Sequence, residues 1–402
     1  MTDLTPKPSR RSCLKGLALL GALPALPAPA LTAAPGSADL TAALEPVRAR
    51  FGLPAIAAAV ARSGVTVAVG ATGVRVHGTD IRVTLGDRFH LGSDTKAMTA
   101  TLVGMAVDEG KLRWGATIGE VLGAEIPGLD ARLAAVTLEQ LLSHSSGIPS
   151  DGEDMVGIYF NTDAFEYNLT PLRLRAIRAF KAHTLVSPPG KEFHYSNMGY
   201  IIVGAMLEKV TGIPWEELIT RRLFEPLRLT TAGLGPQATR GRIDAPVGHR
   251  VSGKSITPML WGPAADNPPV LGPAGVAHMS VVDFATWAGW NAGQGRRAPA
   301  LVKPETLAHI HSPRIDTGRI PNPRPGEPSE GRYACGWGVV QFSWARKPVL
   351  VHNGSNTMNL AKIVVDTNND LGVVAVTNFP DDPAEDALNA VTQSLYRQFA
   401  PG

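Results

Sequence analysis

Strand patterns stand at both ends of this chain, with a long stretch of mostly helical pattern between them. Near the N-terminus, Ile56-Ala57-Ala58-Ala59-Val60-Ala61 and Val65-Thr66-Val67-Ala68-Val69 flank a Ser63-Gly64 turn, as in a hairpin. Near the C-terminus, strand runs return at 336–342, 349–353, 362–365 and 373–377. Residues from about 95 to 290 read as helix and loop. Leu40 to Arg50 reads as an amphipathic helix, and a helix from Pro383 to Phe399 closes the chain. The pattern predicts an α+β fold, with one antiparallel sheet assembled from both chain ends and flanked by helices. The sheet part is expected at about 40–92 and 331–402, and an inserted, mainly helical part at about 93–330. Pro313 to Glu330, rich in proline, glycine and charge, reads as an exposed loop at a cleft rim. No internal repeat is visible.

Three short polar motifs fall along this frame in a fixed order. Ser93-Asp94-Thr95-Lys96 opens the helical pattern Ala97 to Val107. A serine in the first turn of a helix can offer its own backbone N–H to a developing oxyanion, with the positive helix end behind it. Lys96 lies three residues on, on the same helix face. Burial would push it toward the neutral amine, which can take a proton from the serine hydroxyl. The S-x-x-K pattern also occurs at Ser12-Cys13-Leu14-Lys15, so alone it arises by chance.

The second motif, Tyr195-Ser196-Asn197, has a rival in Tyr159-Phe160-Asn161. Tyr195 lies between the turn signal Pro188-Pro189-Gly190 and a buried helical run, Gly199 to Val210, which would hold both side chains against the scaffold. There Tyr195 can relay protons beside Lys96, while the Asn197 amide can anchor Lys96 and hold a substrate carbonyl. The third motif, His352-Asn353-Gly354, follows the strand run Pro348 to Val351. Gly354 would let a substrate backbone approach the strand, and the Ser355 N–H would be a second oxyanion donor. His352 can titrate near neutrality or contact a substrate carboxylate.

Taken together, these segments resemble the serine β-lactamase and D-alanyl-D-alanine peptidase superfamily, in its class C β-lactamase-like branch. Leu141 to Pro149 is similar to the "LL-x-H-x-SG" stretch, and Pro189 to Tyr200 to the "PG-x-x-F-x-YSN-x-GY" block. Pro273 to Ala285 resembles the "PAGG-x-x-S-x-x-D-L-A" helix start, and Gly336-Trp337-Gly338 the "GWG" strand. The match runs from roughly 40 to 400, and the long block selects Tyr195 over Tyr159. The resemblance implies a β-lactamase/transpeptidase-like fold, Ser93 as the acylated serine, Lys96 as its lysine partner, Tyr195 as general base and acid, and Asn197 as the substrate-binding asparagine. His352-Asn353-Gly354 stands where class C β-lactamases carry K-T-G, a form similar to certain D,D-carboxypeptidases and D-aminopeptidases of this fold. Met358 stands where the family often has glycine, and a bulkier side chain there would narrow the site beside the strand.

The leader separates from the rest. Residues 1–34 carry Lys7, Arg10, Arg11 and Lys15 against Asp3, which accounts for the whole +3 formal charge of the chain. No basic stripe remains, so a nucleic-acid partner is not expected. Arg10-Arg11 before the apolar run Gly16 to Leu23, with small residues at Ala28-Pro29-Ala30 and Thr32-Ala33-Ala34, resembles a twin-arginine export signal. The apolar run is too short for a stable membrane span, so residues 35–402 are expected in the periplasm or outside the cell. Loss of Cys13 with the leader leaves Cys335 alone. No G-x-S-x-G, H-E-x-x-H, P-loop or dinucleotide fingerprint appears, and His309-Ile310-His311 lacks a third ligand nearby in sequence, so no cofactor or metal is expected. The expected activity is hydrolysis of an ester, amide or D-amino-acid peptide bond in a small-molecule or peptide substrate. A class C-type β-lactamase and a non-catalytic peptidoglycan- or penicillin-binding relative are the alternatives.

Overall fold

The computed structural model describes residues 36–160, 168–181, 183–324 and 326–401. The leader, with Cys13, and Asn161 lie outside the described residues. Nine strands form the main sheet: β1 (Ala38–Asp39), β2 (Ala55–Arg62), β3 (Val65–Gly73), β4 (Ile315–Arg319), β5 (Glu330–Tyr333), β6 (Gly338–Val340), β7 (Val349–Ser355), β8 (Leu360–Asp366) and β9 (Leu371–Thr377). Their order across the sheet is β1-β3-β2-β9-β8-β7-β6-β5-β4. The two chain ends meet where β9 pairs antiparallel with β2, from Leu371 opposite Arg62 to Thr377 opposite Ile56.

β2 shows why the sheet is central. Its residues are buried from Ala55 to Ala61, because helices cover both faces. Ala55, Ala57 and Ala59 point into the core of the helical body, while Ile56, Ala58 and Val60 pack on the opposite face, in the core shared with the terminal helices. Small alanines let the layers approach closely. The terminal helices on the second face are α1 (Thr41–Arg50) and α6 (Asp381–Phe399). Between them in sequence come α2 (Thr95–Asp108), α3 (Glu153–Phe160), α4 (Asn197–Thr211) and α5 (Val281–Ala292). α2 and α4 are apolar nearly all round and buried along most of their length, as helices at the centre of a large body must be.

The architecture is the expected α+β sheet of both ends, with two differences. The edge strand β1 runs parallel to β3, Ala38 opposite Ala68, so the sheet is mixed rather than wholly antiparallel. The segment 313–330 is not simply a loop, since Ile315–Arg319 forms β4 and pairs with β5. Its polarity belongs to an outer strand, where charge and glycine suit an edge open to solvent, and Pro321, Pro323 and Pro328 fall in the connection.

The helical body also holds two small sheets. In one, Arg88–His90 pairs with Ala277–Ser280, which pairs in turn with Gly233–Leu234. In the other, Gly248–Ser252 pairs with Ser255–Met259. The first carries the chain into Ser93, with Leu91 N–H donating to the Ala277 carbonyl at 2.8 Å.

Candidate active site

Ser93 sits in a single 3₁₀ turn, Gly92–Asp94, that runs directly into α2. Lys96 is fully buried. Its ammonium nitrogen reaches the Ser93 hydroxyl at 3.0 Å, the Asn197 Oδ1 at 2.6 Å and the Ala274 carbonyl at 2.7 Å, which uses all three of its donors. Burial pulls the Lys96 amine down to about 7, with the carboxylates of Asp151 and Asp94 acting in the opposite direction. A group held near that value can pick up and release a proton at neutral pH.

Tyr195 lies just ahead of α4, half-buried, with its ring 4.8 Å from Lys96 Nζ and its hydroxyl near enough to the Ser93 side chain to feel it. Burial raises its phenol above the usual tyrosine range, while the Ser93 contact works against this. The phenol therefore stays protonated at neutral pH, and of the two groups on Ser93 the Lys96 amine is the better-matched base. His144 fixes the Tyr195 loop. It accepts from the Ser196 N–H at 3.1 Å through Nδ1, and its carbonyl accepts from the His194 N–H at 2.8 Å. Its ring is wedged among Phe193, Tyr195, Tyr200 and Tyr333, 4.2 Å from the Tyr195 ring. Leu141 to Pro149 thus supplies a clamp for Tyr195, a function that its sequence pattern alone did not reveal.

Asn197 opens α4. Its Oδ1 holds Lys96, and its Nδ2 donates to the Asp151 carboxylate. The other oxygen of Asp151 accepts from the Tyr159 hydroxyl at 2.7 Å. The tyrosine of the rival Y-x-N therefore stands behind the site, on the far side of Asp151. No sequence signal marked Asp151.

His352, Asn353, Gly354 and Ser355 end β7. β6 covers only Val349 to Val351 of this strand, so beyond Val351 its outer edge is free of β6. The His352 ring is nearly fully buried. Nδ1 donates to the Asn353 carbonyl at 3.1 Å, and Nε2 accepts from the Tyr333 hydroxyl at 2.8 Å. Asp94 Oδ1 is 3.2 Å from Nδ1, off the axis of a good hydrogen bond. Burial first, and then the Lys96 charge, push His352 down to about 3, so it is neutral throughout the physiological range rather than titrating near neutrality. Burial likewise drives the Asp94 carboxyl well above the usual range.

The close approach that Gly354 permits is made by the chain itself. A Cβ there would lie 1.8 Å from the Leu91 carbonyl oxygen. Gly92, at φ +49°, faces back onto Ser355, where a Cβ would lie 2.3 Å from the Ser355 nitrogen. Two glycines thus let β7 seat against the Ser93 turn and bring the Ser355 amide beside it. Met358 does not narrow an open cleft, because its side chain is buried against Gly248. A cavity of about 290 Å³ adjoins the cluster, lined by Tyr195, Ile320, Tyr333, His352, Asn353 and Lys362. Among the described residues, no group of three or more His, Cys, Asp or Glu is placed to hold a metal. His309 stacks on Trp114 at 4.2 Å and pairs with Glu139, and His311 meets Asn291.

Residues 40–397 match the family profile described as Beta-lactamase. The chain belongs to the beta-lactamase family. This is a fold family of serine hydrolases, and the match spans nearly all of the described structure. Protein flp of Staphylococcus aureus (strain MRSA252) is 25% identical over 296 residues, which are 72% of this chain and 52% of that protein. The chain therefore spans about half the length of this curated relative. Among solved structures, the octameric penicillin-binding protein homologue from Pyrococcus abyssi superposes with a TM-score of 0.71 at 23% identity, covering 88% of this chain and 76% of that one. The D-amino acid amidase from Ochrobactrum anthropi SV3, complexed with L-phenylalanine amide, gives 0.67 at 16% identity, covering 89% and 95%. Both show the same fold. Among the described residues no helix is long and apolar enough to cross a membrane.

Proposed function

We propose that this family member is an exported serine hydrolase that cleaves an ester, an amide or a D-amino-acid peptide bond through an acyl-serine on Ser93. One observation carries the reading: a fully buried lysine, its amine pulled down to about 7, sits 3.0 Å from the Ser93 hydroxyl. Lys96 takes the Ser93 proton as Oγ attacks the substrate carbonyl. The Ser93 and Ser355 amides stabilise the oxyanion. Tyr195 passes a proton to the leaving group as its bond to carbon breaks, and is reprotonated by Lys96, which gives up the proton taken from Ser93. Water then attacks the acyl-serine, releases the acid and returns the proton to Ser93. The second Nδ2 hydrogen of Asn197 is available to a substrate carbonyl.

A neutral His352 argues against a class C-type β-lactamase, which carries a lysine there, and the lowered Lys96 amine on Ser93 argues against a non-catalytic peptidoglycan- or penicillin-binding relative, which has no use for a buried base. The leader supports export to the periplasm or beyond. The test is intact-mass spectrometry after incubation with a slow ester or a fluorescent phosphonate. An adduct is expected on the unaltered protein and not on Ser93→Ala, and the reading fails if the adduct persists in Ser93→Ala.

A further inference from the structure

Asp151 belongs to the cluster around Lys96, and the mechanism above does not use it. Its carboxylate is exposed at the site, yet it is held from two sides, by the Tyr159 hydroxyl on one oxygen and the Asn197 amide on the other. These donors are neutral, so they orient the charge without cancelling it. A carboxylate has lone pairs for about four hydrogen bonds, so two such donors leave room for another. Between Ile148 and Phe160 the chain carries Asp151, Glu153 and Asp154, all exposed, and no lysine or arginine. Among the described residues, the cation hydrogen-bonded to Ser93 is Lys96, whose amine burial pulls down to about 7, while Lys362 of the adjoining cavity is already paired with Glu327 and Asn389.

A fixed, accessible, uncompensated carboxylate one amide group away from the catalytic lysine is a receptor for a cation. We propose that Asp151 binds the free α-ammonium group of the substrate's acyl portion, so that the enzyme acts on N-unblocked aminoacyl esters, amides or peptides. The inference rests on the hydrolase reading above and narrows its substrate class. An α-ammonium lies one carbon from the carbonyl that Ser93 attacks. The Asn197 amide links the two places directly, holding Lys96 with its Oδ1 and Asp151 with its Nδ2. Binding also prepares the base. Asp151 favours the protonated form of Lys96, and an ammonium seated on Asp151 removes that influence and releases the amine to accept the serine proton. Substrates carrying the wrong charge at this point would leave the lysine protonated.

The test uses three p-nitrophenyl esters at pH 7: butyrate, D-phenylalanine, and N-acetyl-D-phenylalanine. The unaltered enzyme should favour the free amine over its N-acetyl form by at least about tenfold in kcat/KM, chiefly through KM, the order expected for a charge-assisted hydrogen bond. Asp151→Asn should bring that ratio near one, and Asp151→Glu should restore part of it. A loss of fold or of general activity would lower both esters together and leave the ratio in place. Calorimetric binding of D-phenylalanine amide and its N-acetyl derivative to Ser93→Ala reads the same preference without turnover. A ratio unchanged in Asp151→Asn, or equal binding of the two amides, overturns the inference. Absence of turnover on all three esters, with the amide preference still present in binding, would instead overturn the hydrolase reading and leave the ammonium site standing.

Discussion

At the scale of single residues, the site works because two side chains whose environments push their pKa values in opposite directions are brought to one hydroxyl. Burial lowers Lys96 to about 7 and raises Tyr195, so a base and a proton donor coexist at neutral pH. The sign of the pH dependence follows. Acylation needs the neutral amine, so its rate should climb as pH rises through about 7 and then level off. Asp151→Asn, which removes a carboxylate that favours the charged amine, should move that rise to lower pH. Lys96→Ala and Tyr195→Phe should each slow acylation by about 10²–10⁴-fold, the range for a positioned acid or base. The double variant should be little worse than either single one, because both act on the same proton. Rapid-quench acylation rates across about pH 5–9, which brackets the Lys96 amine at about 7, would check these outcomes together. Losses that multiply would mean separate routes for the proton.

At the scale of elements, the decisive contact is between the end of β7 and the turn that carries Ser93. Gly354→Ala would place a methyl group against the Leu91 carbonyl, at a distance no pair of atoms tolerates. Strand and turn must then separate, at a cost of about 1–3 kcal/mol for overpacking, and the Ser355 amide would move off the oxyanion. A lower melting temperature and a collapse of kcat are expected, measured by thermal unfolding and ester hydrolysis, whereas an active variant of normal stability would contradict the contact. On the same strand, His352→Lys would introduce a cation beside the buried Asp94 carboxyl. This should shift preference toward substrates that bear a carboxylate, read as a rise in nitrocefin turnover relative to p-nitrophenyl butyrate. The unaltered enzyme should hydrolyse nitrocefin slowly, and fast turnover would show that the histidine does not set the substrate class.

At the scale of the whole molecule, the sheet closes only when both chain ends have arrived. β2 and β3 come from one end and β6 to β9 from the other, and the join between β2 and β9 lies inside the sheet, away from both edges. The face away from the helical body is covered by α1 and α6, where Ala384, Ala387, Leu388, Val391, Leu395 and Tyr396 pack in one core with Ile56, Val60, Val364 and Val373. Each large apolar side chain withdrawn from water contributes about 1.5–3 kcal/mol. The four large ones on α6, Leu388, Val391, Leu395 and Tyr396, together contribute about 6–12 kcal/mol, as much as the whole net stability of about 5–15 kcal/mol typical of a protein. A chain that stops before Asp381 should therefore show no cooperative thermal transition, although it keeps every residue of the site. Cooperative melting of that truncation would mean that the helical body is stable without a covered sheet.

What could be read from the sequence was local. Alternation in Ile56 to Ala61 and Val65 to Val69, and the runs around 349–353, 362–365 and 373–377, identified the strands of the sheet, because periodicity and turn chemistry are set within a few residues. The spacing of Ser93 and Lys96 on one helix turn likewise brought the pair within 3.0 Å. Tertiary structure decided whatever depends on residues distant in the chain. Ile315–Arg319 is polar and close to prolines, and only pairing with Glu330–Tyr333 makes it a strand. Tyr159 and Tyr195 share one local pattern, and only the packing of α3 and α4 sends the first to Asp151 and the second to Ser93. His352 is an ordinary histidine in sequence, and its lasting neutrality comes from a buried strand end, Tyr333 and Lys96. Burial and charge come from neighbours assembled across the whole chain, so a short motif can name the reactive groups but cannot set their protonation or their substrate.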